Sequence, residues 1–405
     1  MQSLTIGKHT FNWGSRTYVM GILNITPDSF YKGSRVEHLD AVMAKTRQMI
    51  LEGADILDIG GQSTRPGSGR ISEGEEMQRV FPVVEAIAKE FGIDHVASDW
   101  QELVKHPDVD LVSIVTPPST HMEITLAALE QRKAVLCEKP MALNAGEAAL
   151  MVEKAKAAGV LALIDHELRF LNSRRVMRGM LQSGAIGSVR HCNYVFRSDY
   201  RGIADRAWDW WSDEKMGGGA LGAIGSHVVD SFRWILSAEV TKVLGMLTTH
   251  IKERPDKNGG NGMRAVTTDD EAKLLFRFSD GPHTEGATGG ASISVVESGK
   301  YENRLEVYGT KGALMVEETG ELWRSPTGSG AWRPVQVDQD HMAQGMREGS
   351  WSRGFTAFAI AICDALRAGR TTVKDAATFE DGHRVQVVLD AIRASNESGC
   401  WESVS

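Results

Sequence analysis

One stretch limits the architecture more than any other: Lys133-Ala-Val-Leu-Cys-Glu-Lys-Pro-Met141, a short apolar run that stops at a Glu-Lys-Pro step. The run has the length and character of a strand. Pro140 has no N–H to give to a ladder, so the strand ends there. Glu138 and Lys139 are thereby delivered together to a strand end, where an ammonium is aimed and not merely solvated. The bland alternative is a surface lysine that caps the strand. The Glu-Lys-Pro context favours Lys139 as the centre of a site, with Glu138 orienting it.

The chain before this stretch alternates strands and helices. Apolar alternation over 3–13 and 16–25 suggests a hairpin followed by a buried strand at 18–25. The polar, turn-rich Asn24-Ile-Thr-Pro-Asp-Ser-Phe30 follows, and then a helix over 37–52 that ends at Gly53. The strand at 54–59 runs into the glycine-rich 60–69, and a helix over 72–91 opens with Ser72 and Glu75 at capping-box spacing. The order is βαβα. Residues 186–340 alternate in short β-rich segments at 189–197, 241–250, 271–278, 291–297, 303–308, 312–317 and 333–337, which predicts a second domain built on a sheet. The segments 256–262 and 325–350 read as surface loops, and helices over 352–368 and 380–396 close the chain. The class is α/β, with a parallel sheet first and an α+β domain carrying a large mixed or antiparallel sheet second.

Composition excludes some functions. The 405 residues suffice for two or three domains, with two as the default. A net charge of -8 lacks the basic stripe that a nucleic-acid surface needs, so small-molecule partners are expected. Four cysteines without CxxC spacing suggest neither a zinc cage nor a disulfide framework. No apolar run is long enough to span a bilayer and the start lacks a signal-peptide pattern, so the chain reads as cytoplasmic.

The first ninety residues resemble the front half of dihydropteroate synthase, a (β/α)₈-barrel enzyme. The resemblance rests on Met20-Gly-Ile-Leu-Asn-Ile-Thr-Pro-Asp-Ser-Phe30 and Gly53-Ala-Asp-Ile-Leu-Asp-Ile-Gly-Gly-Gln-Ser-Thr-Arg-Pro66. It implies a diphosphate-holding role, with a bound magnesium, for Asn24, and a second-substrate role for Thr64 and Arg65. Lys32 stands where that family usually has an acidic residue. A complete barrel needs about 250 residues, and the family's later pterin-pocket groups do not follow. Complete dihydropteroate synthesis by this chain is therefore not expected.

From about residue 93 the chain resembles the Gfo/Idh/MocA family, the glucose-fructose oxidoreductase and inositol dehydrogenase relatives. The landmarks are Asp108-Val-Asp-Leu-Val-Ser-Ile-Val-Thr-Pro117, His121, the Glu-Lys-Pro step, Val160-Leu-Ala-Leu-Ile-Asp-His-Glu-Leu-Arg-Phe170, Trp208-Asp-Trp-Trp211, and Gly217-Gly-Gly-Ala-Leu-Gly-Ala-Ile-Gly-Ser-His-Val-Val-Asp230. Three pieces are implied: 1–92, which completes the N-terminal domain with barrel-derived βαβα; 93–165, the rest of a Rossmann-like nucleotide-binding domain; and 166–405, the substrate and oligomerisation domain. Members begin with a glycine-loop unit that holds a dinucleotide pyrophosphate, and here the borrowed βαβα stands in its place. Both folds use right-handed parallel crossovers, so the exchange is topologically legal. The junction falls in 85–93. Gly217-Gly-Gly-Ala-Leu-Gly222 fits G-x-G-x-x-G formally, but it lacks the strand before and the βαβ after, so it is read as a tight turn.

Ligands gather at the C-terminal ends of parallel strands in both folds. The substituted loops then supply Asn24, Thr26, Ser63, Thr64 and Arg65 to the cofactor, joined by Thr116, Pro117, His121, Glu138 and Lys139. Ser63, Thr64, Arg65 and Arg70 suit an anion such as a 2′-phosphate, so NADP is favoured over NAD. Lys139 and His227 are the expected catalytic pair with Glu138 beside them, Lys139 binding the substrate hydroxyl and His227 acting as or beside the general base. Ala223 stands where the family often has an Asp, which leaves His227 without that partner. His166, Arg169, Trp208 and Asp230 are candidate substrate-binding residues. For each a structural role is the alternative: Trp208 as domain packing, Asp230 as a helix charge. The expected function is NAD(P)-dependent oxidation or reduction of a sugar, polyol or related alcohol or ketone. The alternatives are a non-redox phosphate- or pterin-diphosphate-binding protein and an inactive fusion. A homodimer or homotetramer is expected through the second domain's sheet.

Overall fold

The computed structural model describes residues 2–6, 9–13, 19–24, 39, 42–44, 46–47, 54–60, 73–91, 99–256, 262–343 and 349–404. At the front, β1 (Gln2–Ile6) and β2 (His9–Trp13) form an antiparallel hairpin. Next, β3 (Val19–Asn24) and β4 (Ala54–Gly60) pair in parallel with Asn24 opposite Gly60, so both front loops leave one edge of the pair. Residues 39, 42–44 and 46–47 are helical, inside the helix expected at 37–52. The helix Glu73–Phe91 follows, close to the expected 72–91.

The next sheet carries Lys139. In it β5 (Leu111–Ile114), β6 (Ala134–Cys137) and β7 (Ala162–Ile164) run parallel, crossed by helices His121–Glu130 and Ala145–Ala158. All four residues of β6 are buried, because both faces of this strand are covered. Val135 and Cys137 join Ile124, Ala148 and Met151 in one core, while Ala134 and Leu136 face a second core with Phe358 and Ile362 of the helix Ser350–Arg367. Continuous apolar sequence in β6 is the direct consequence of that sandwiching. Among the described residues no ladder joins β3 and β4 to this sheet.

The second sheet has nine strands, including β8 (Val189–Arg197) and β9 (Val240–Thr248). Outside it, β10 (Glu253–Asp256) and β11 (Gly262–Ala265) form a separate hairpin. The sheet continues with β12 (Glu271–Phe278), β13 (Thr288–Ser294), β14 (Glu302–Gly309), β15 (Gly312–Val316), β16 (Leu322–Pro326) and β17 (Arg333–Val335). The two-residue β18 (Ala377–Thr378) pairs with β7, and β19 (Glu402–Ser403) closes the nine-stranded sheet beside β9. The order is β17-β16-β15-β14-β8-β13-β12-β9-β19, with β8 and β13 parallel and the remaining pairs antiparallel. One face packs on helix Ser226–Leu236, every residue of which is buried, and on helix Phe379–Ser398.

All seven predicted β segments of this region are strands within a few residues of the expected bounds. The expected loop at 325–350 instead opens on the end of β16, which has only Leu322 buried and therefore carries no alternation. Helix Asn172–Gln182 also escaped the pattern, because two of its four buried positions are Ser173 and Arg174. Among the described residues no helix is long and apolar enough to cross a membrane.

Candidate active site

The turn after β6 places Glu138, Lys139 and Pro140 at the C-terminal end of the parallel strands, with the Lys139–Pro140 peptide in the cis form. The Lys139 Nζ donates to the carbonyl of Ala223 at 3.2 Å. That carbonyl belongs to a π-helical turn, Leu221–Gly225, which runs directly into helix Ser226–Leu236. A π turn is a frequent feature of functional sites. Ala223, which stands where the resembled family often has an Asp, thus contributes its backbone oxygen to the lysine.

The glycine run before the π turn makes this meeting possible. Gly217 has φ 82°, and a Cβ there would lie 2.5 Å from the Pro118 Cβ. A Cβ on Gly218 would strike the Trp211 carbonyl. Asp269 fixes the next turn by accepting from the Leu221 N–H at 2.7 Å. The run therefore works as a close-approach turn, the tight turn that was expected of it.

Two histidines come together beside the lysine. The His166 and His227 rings sit edge to face with centroids 5.3 Å apart, and Trp351 stacks edgewise on His227 at 4.8 Å. Burial drives the His166 pKa down to about 4, with Arg169 and Lys139 adding to the fall and Asp230 opposing it. Burial also holds His227 well below the usual imidazole value, helped by Lys139, His166 and Arg174. Both rings are neutral at neutral pH, and the Nδ1 of each is buried without a hydrogen-bond partner. Each enclosed ring nitrogen thus calls for a partner that the described side chains do not supply.

Three carboxylates adjoin the lysine. Glu138, Asp165 and Glu167 line a cavity of about 260 Å³ with Trp351 and Phe355. Burial raises Asp165 to about 7, with the Glu138 charge adding and Lys139 opposing. Glu167 is raised well above the carboxylate range by burial first and Asp165 second. Neither Asp165 nor Glu167 was picked out from the sequence. The signal was present, since Asp165-His166-Glu167 follows an apolar strand just as Glu138-Lys139 does.

The other candidates divide. His121 is fully buried, with its Nε2 2.8 Å from the Thr116 carbonyl and its Nδ1 3.1 Å from the Pro140 carbonyl. Burial lowers its pKa, and a neutral ring donates to one of these carbonyls at a time. It ties the Thr116–Pro117 turn to the Lys139 turn. The Thr116 and Thr120 hydroxyls lie 2.6 Å apart. Arg169 spends its guanidinium on Asp230, with Nε to Oδ2 at 2.9 Å, and on Asp381 at 3.3 Å. Burial pushes Asp230 up, but the Arg169 charge, the His166 ring and the hydrogen bond from Arg169 together outweigh it and the net shift is downward. Asp230 thus pairs with Arg169 and not with the His227 ring. Trp208 donates to the Ala265 carbonyl at 2.8 Å, and the Arg264 guanidinium lies 3.3 Å from its ring centroid. The strand end of Asn24 is described, whereas Thr26, Ser63, Thr64 and Arg65 lie outside the described residues.

A nicotinamide end fits the described part of the cleft. Val115, 73% exposed just after β5, lines the same cavity as Glu138 and gives it an apolar surface, and the Lys139 charge acts on both buried imidazoles.

Comparison with known proteins joins two sources. Residues 75–166 match the family described as "Oxidoreductase family, NAD-binding Rossmann fold", and residues 175–315 match the "GFO/IDH/MocA C-terminal domain". Residues 20–99 match "Pterin binding enzyme", so the two front matches overlap in the helix Glu73–Phe91. The Xenopus laevis glucose-fructose oxidoreductase domain-containing protein 2 is 30% identical over 335 residues, which cover 78% of this chain and 83% of that protein. A dihydropteroate synthase of Clostridium beijerinckii is 50% identical over 90 residues, 22% of this chain and 34% of that enzyme. Among solved structures, levoglucosan dehydrogenase in complex with NADH and L-sorbose aligns with TM-score 0.69 at 25% identity, covering 80% of this chain and 87% of that one.

Proposed function

The chain belongs to the GFO/IDH/MocA family of oxidoreductases, and on that premise we propose that it transfers hydride between a nicotinamide dinucleotide and a sugar, polyol or related alcohol or ketone. The single observation that carries this reading is the Lys139 ammonium on the Ala223 carbonyl, next to the neutral His166 and His227 rings. When bound, the dinucleotide supplies or receives the hydride. Lys139 has two further N–H groups to donate to the substrate oxygen, which stabilises the negative charge that develops there. His227, neutral and buried, takes the hydroxyl proton in the oxidative direction. His166 offers its orphaned Nδ1 to a neighbouring hydroxyl.

The cofactor site is altered in this proposal. In it the 24–32 and 60–69 loops take over from a glycine loop and a ribose-reading loop, with Asn24, Thr26, Ser63, Thr64 and Arg65 meeting the phosphates, and the parallel pairing of β3 with β4 supports this reading. The NADH in the levoglucosan dehydrogenase complex supports a nicotinamide cofactor, while Arg65 and Arg70 favour NADP. The exposed Met246 and Leu275 on neighbouring strands of the nine-stranded sheet support assembly into a dimer or tetramer through that face. A cytoplasmic setting goes with this reading. The test is reduction of NADP⁺ or NAD⁺, followed at the nicotinamide absorbance, with a panel of pyranoses, anhydrosugars and polyols. Turnover that disappears in Lys139→Met supports the proposal. Equal turnover in that variant removes it.

The 50% identity to a dihydropteroate synthase favours one second reading, a front half that retains a diphosphate site at Asn24, Thr64 and Arg65. It predicts magnesium-dependent pyrophosphate binding that weakens in Asn24→Ala. Equal binding by both proteins would discard it.

A further inference from the structure

A larger cavity lies away from the lysine cleft. It measures about 640 Å³ and is lined by Arg175, Arg178, Arg370 and Lys374, with Phe170 and Trp234 among its walls. Asp364 and Asp375 also line it, so four cations face two carboxylates. Arg178 is paired with Asp375 at 3.1 Å. Asp364 is paired at 3.5 Å with Arg367, which does not line the cavity. No ion pair joins Arg175, Arg370 or Lys374 to a carboxylate among the described residues. The balance of the cavity is positive.

Two of these cations are held in place by aromatic rings. The Arg175 guanidinium lies 4.5 Å from the Phe170 ring centroid and that of Arg178 lies 4.8 Å from the Trp234 centroid. Ring stacking fixes the plane of a guanidinium and leaves its N–H edge for an anion, the geometry that suits bidentate recognition of phosphate. Arg370 and Lys374 come from a different element, the exposed segment after helix Ser350–Arg367. The volume falls within the range of small-ligand pockets, about 300–1,000 Å³.

The site is distinct from the catalytic cleft and connected to it. Trp234 lies seven residues along one buried helix from His227, a span of about 10 Å at 1.5 Å per residue. Phe170 ends the 3₁₀ turn Glu167–Phe170 that begins beside the cleft. The buried Arg169–Asp230 pair ties the turn to the helix between these points.

We infer that this cavity binds a phosphorylated small molecule of sugar-phosphate size, with Arg175, Arg178, Arg370 and Lys374 gripping the phosphate. The full chain is titrated calorimetrically with glucose 6-phosphate, with glucose as the uncharged control. Three variants accompany it: Arg175→Gln, the double variant Arg370→Gln/Lys374→Gln, and Arg65→Gln in the front half. The expected result is saturable binding of glucose 6-phosphate but not of glucose, weakened roughly tenfold or more by either cavity variant and unchanged by Arg65→Gln. Because Arg370 and Lys374 are exposed, the double variant keeps its fold, which its melting curve verifies. Three results would each overturn the inference: no binding to wild type, equal binding by the cavity variants, or binding lost only in Arg65→Gln.

Discussion

The two ends of this chain differ in how their chemistry is supported. In the back, each reactive group rests on several elements: Lys139 on a carbonyl from the π turn, His227 on a helix buried at every residue, and His166 on a turn anchored by Arg169 to Asp230 and Asp381. In the front, the matched segment offers its candidates on two loops that leave neighbouring ends of a parallel pair. Support from several elements fixes a proton-transfer geometry, whereas loops at strand ends suit a phosphate that needs donors and charge. The exchange of one front for another is tolerable because both folds deliver their loops to the same edge of a parallel sheet.

The strongest way to break this contrast is to remove the lysine. Lys139→Met is expected to lower kcat/KM by about 10²–10⁴-fold with little change in melting temperature, since loss of one aimed donor acts on the transition state. If the variant keeps its activity, the chemistry does not sit at the back. Next in size is Asp230→Ala, which leaves the buried Arg169 with Asp381 alone and should cost about 1.5–3 kcal/mol in denaturant unfolding. A loss under about 1 kcal/mol would mean that the pair does not hold the turn.

A third test reads the buried acid and imidazole together. The folded pKa of Asp165 is raised from 3.8 to about 7, so its stabilising contribution is complete below pH 3.8 and is lost as pH rises towards 7. The folded pKa of His166 is depressed from 6.5 to about 4, so its contribution is present above 6.5 and is lost as pH falls towards 4. Between these limits the two slopes oppose each other. Asp165→Asn removes one of them, and unfolding free energy in the variant should then rise with pH by about 1.4 kcal/mol per unit relative to wild type. Parallel pH profiles would contradict the assignment of a protonated Asp165. The smallest expected effect is at the front: Arg65→Gln should weaken NADPH binding about tenfold, leaving NADH binding and stability unchanged.

Much of this was legible in sequence for identifiable reasons. The apolar run ending at Pro140 marks a sandwiched strand and an aimed lysine, and alternation located the strands of the second sheet within a few residues. Less legible were groups whose roles come from tertiary pairing. Arg169 and Asp230, both expected at the substrate, are joined to each other across sixty-one positions. Trp208, also expected there, packs on the Arg264 hairpin. Asp165 and Glu167 escaped notice because their raised pKa values arise from burial first, with Glu138 acting on both and Asp165 on Glu167, which no local pattern encodes. The Ala223 carbonyl could not be foreseen, since its side chain says nothing of a π turn.

The central claim is that the retained catalytic half faces a nicotinamide held by a dihydropteroate-synthase-like front. Its most direct test is a fluorescence titration of the full chain with NADPH and NADH. Saturable binding, with changed nicotinamide emission and competition by the oxidised form, is the predicted result. Absence of binding by either dinucleotide at millimolar concentration would contradict it.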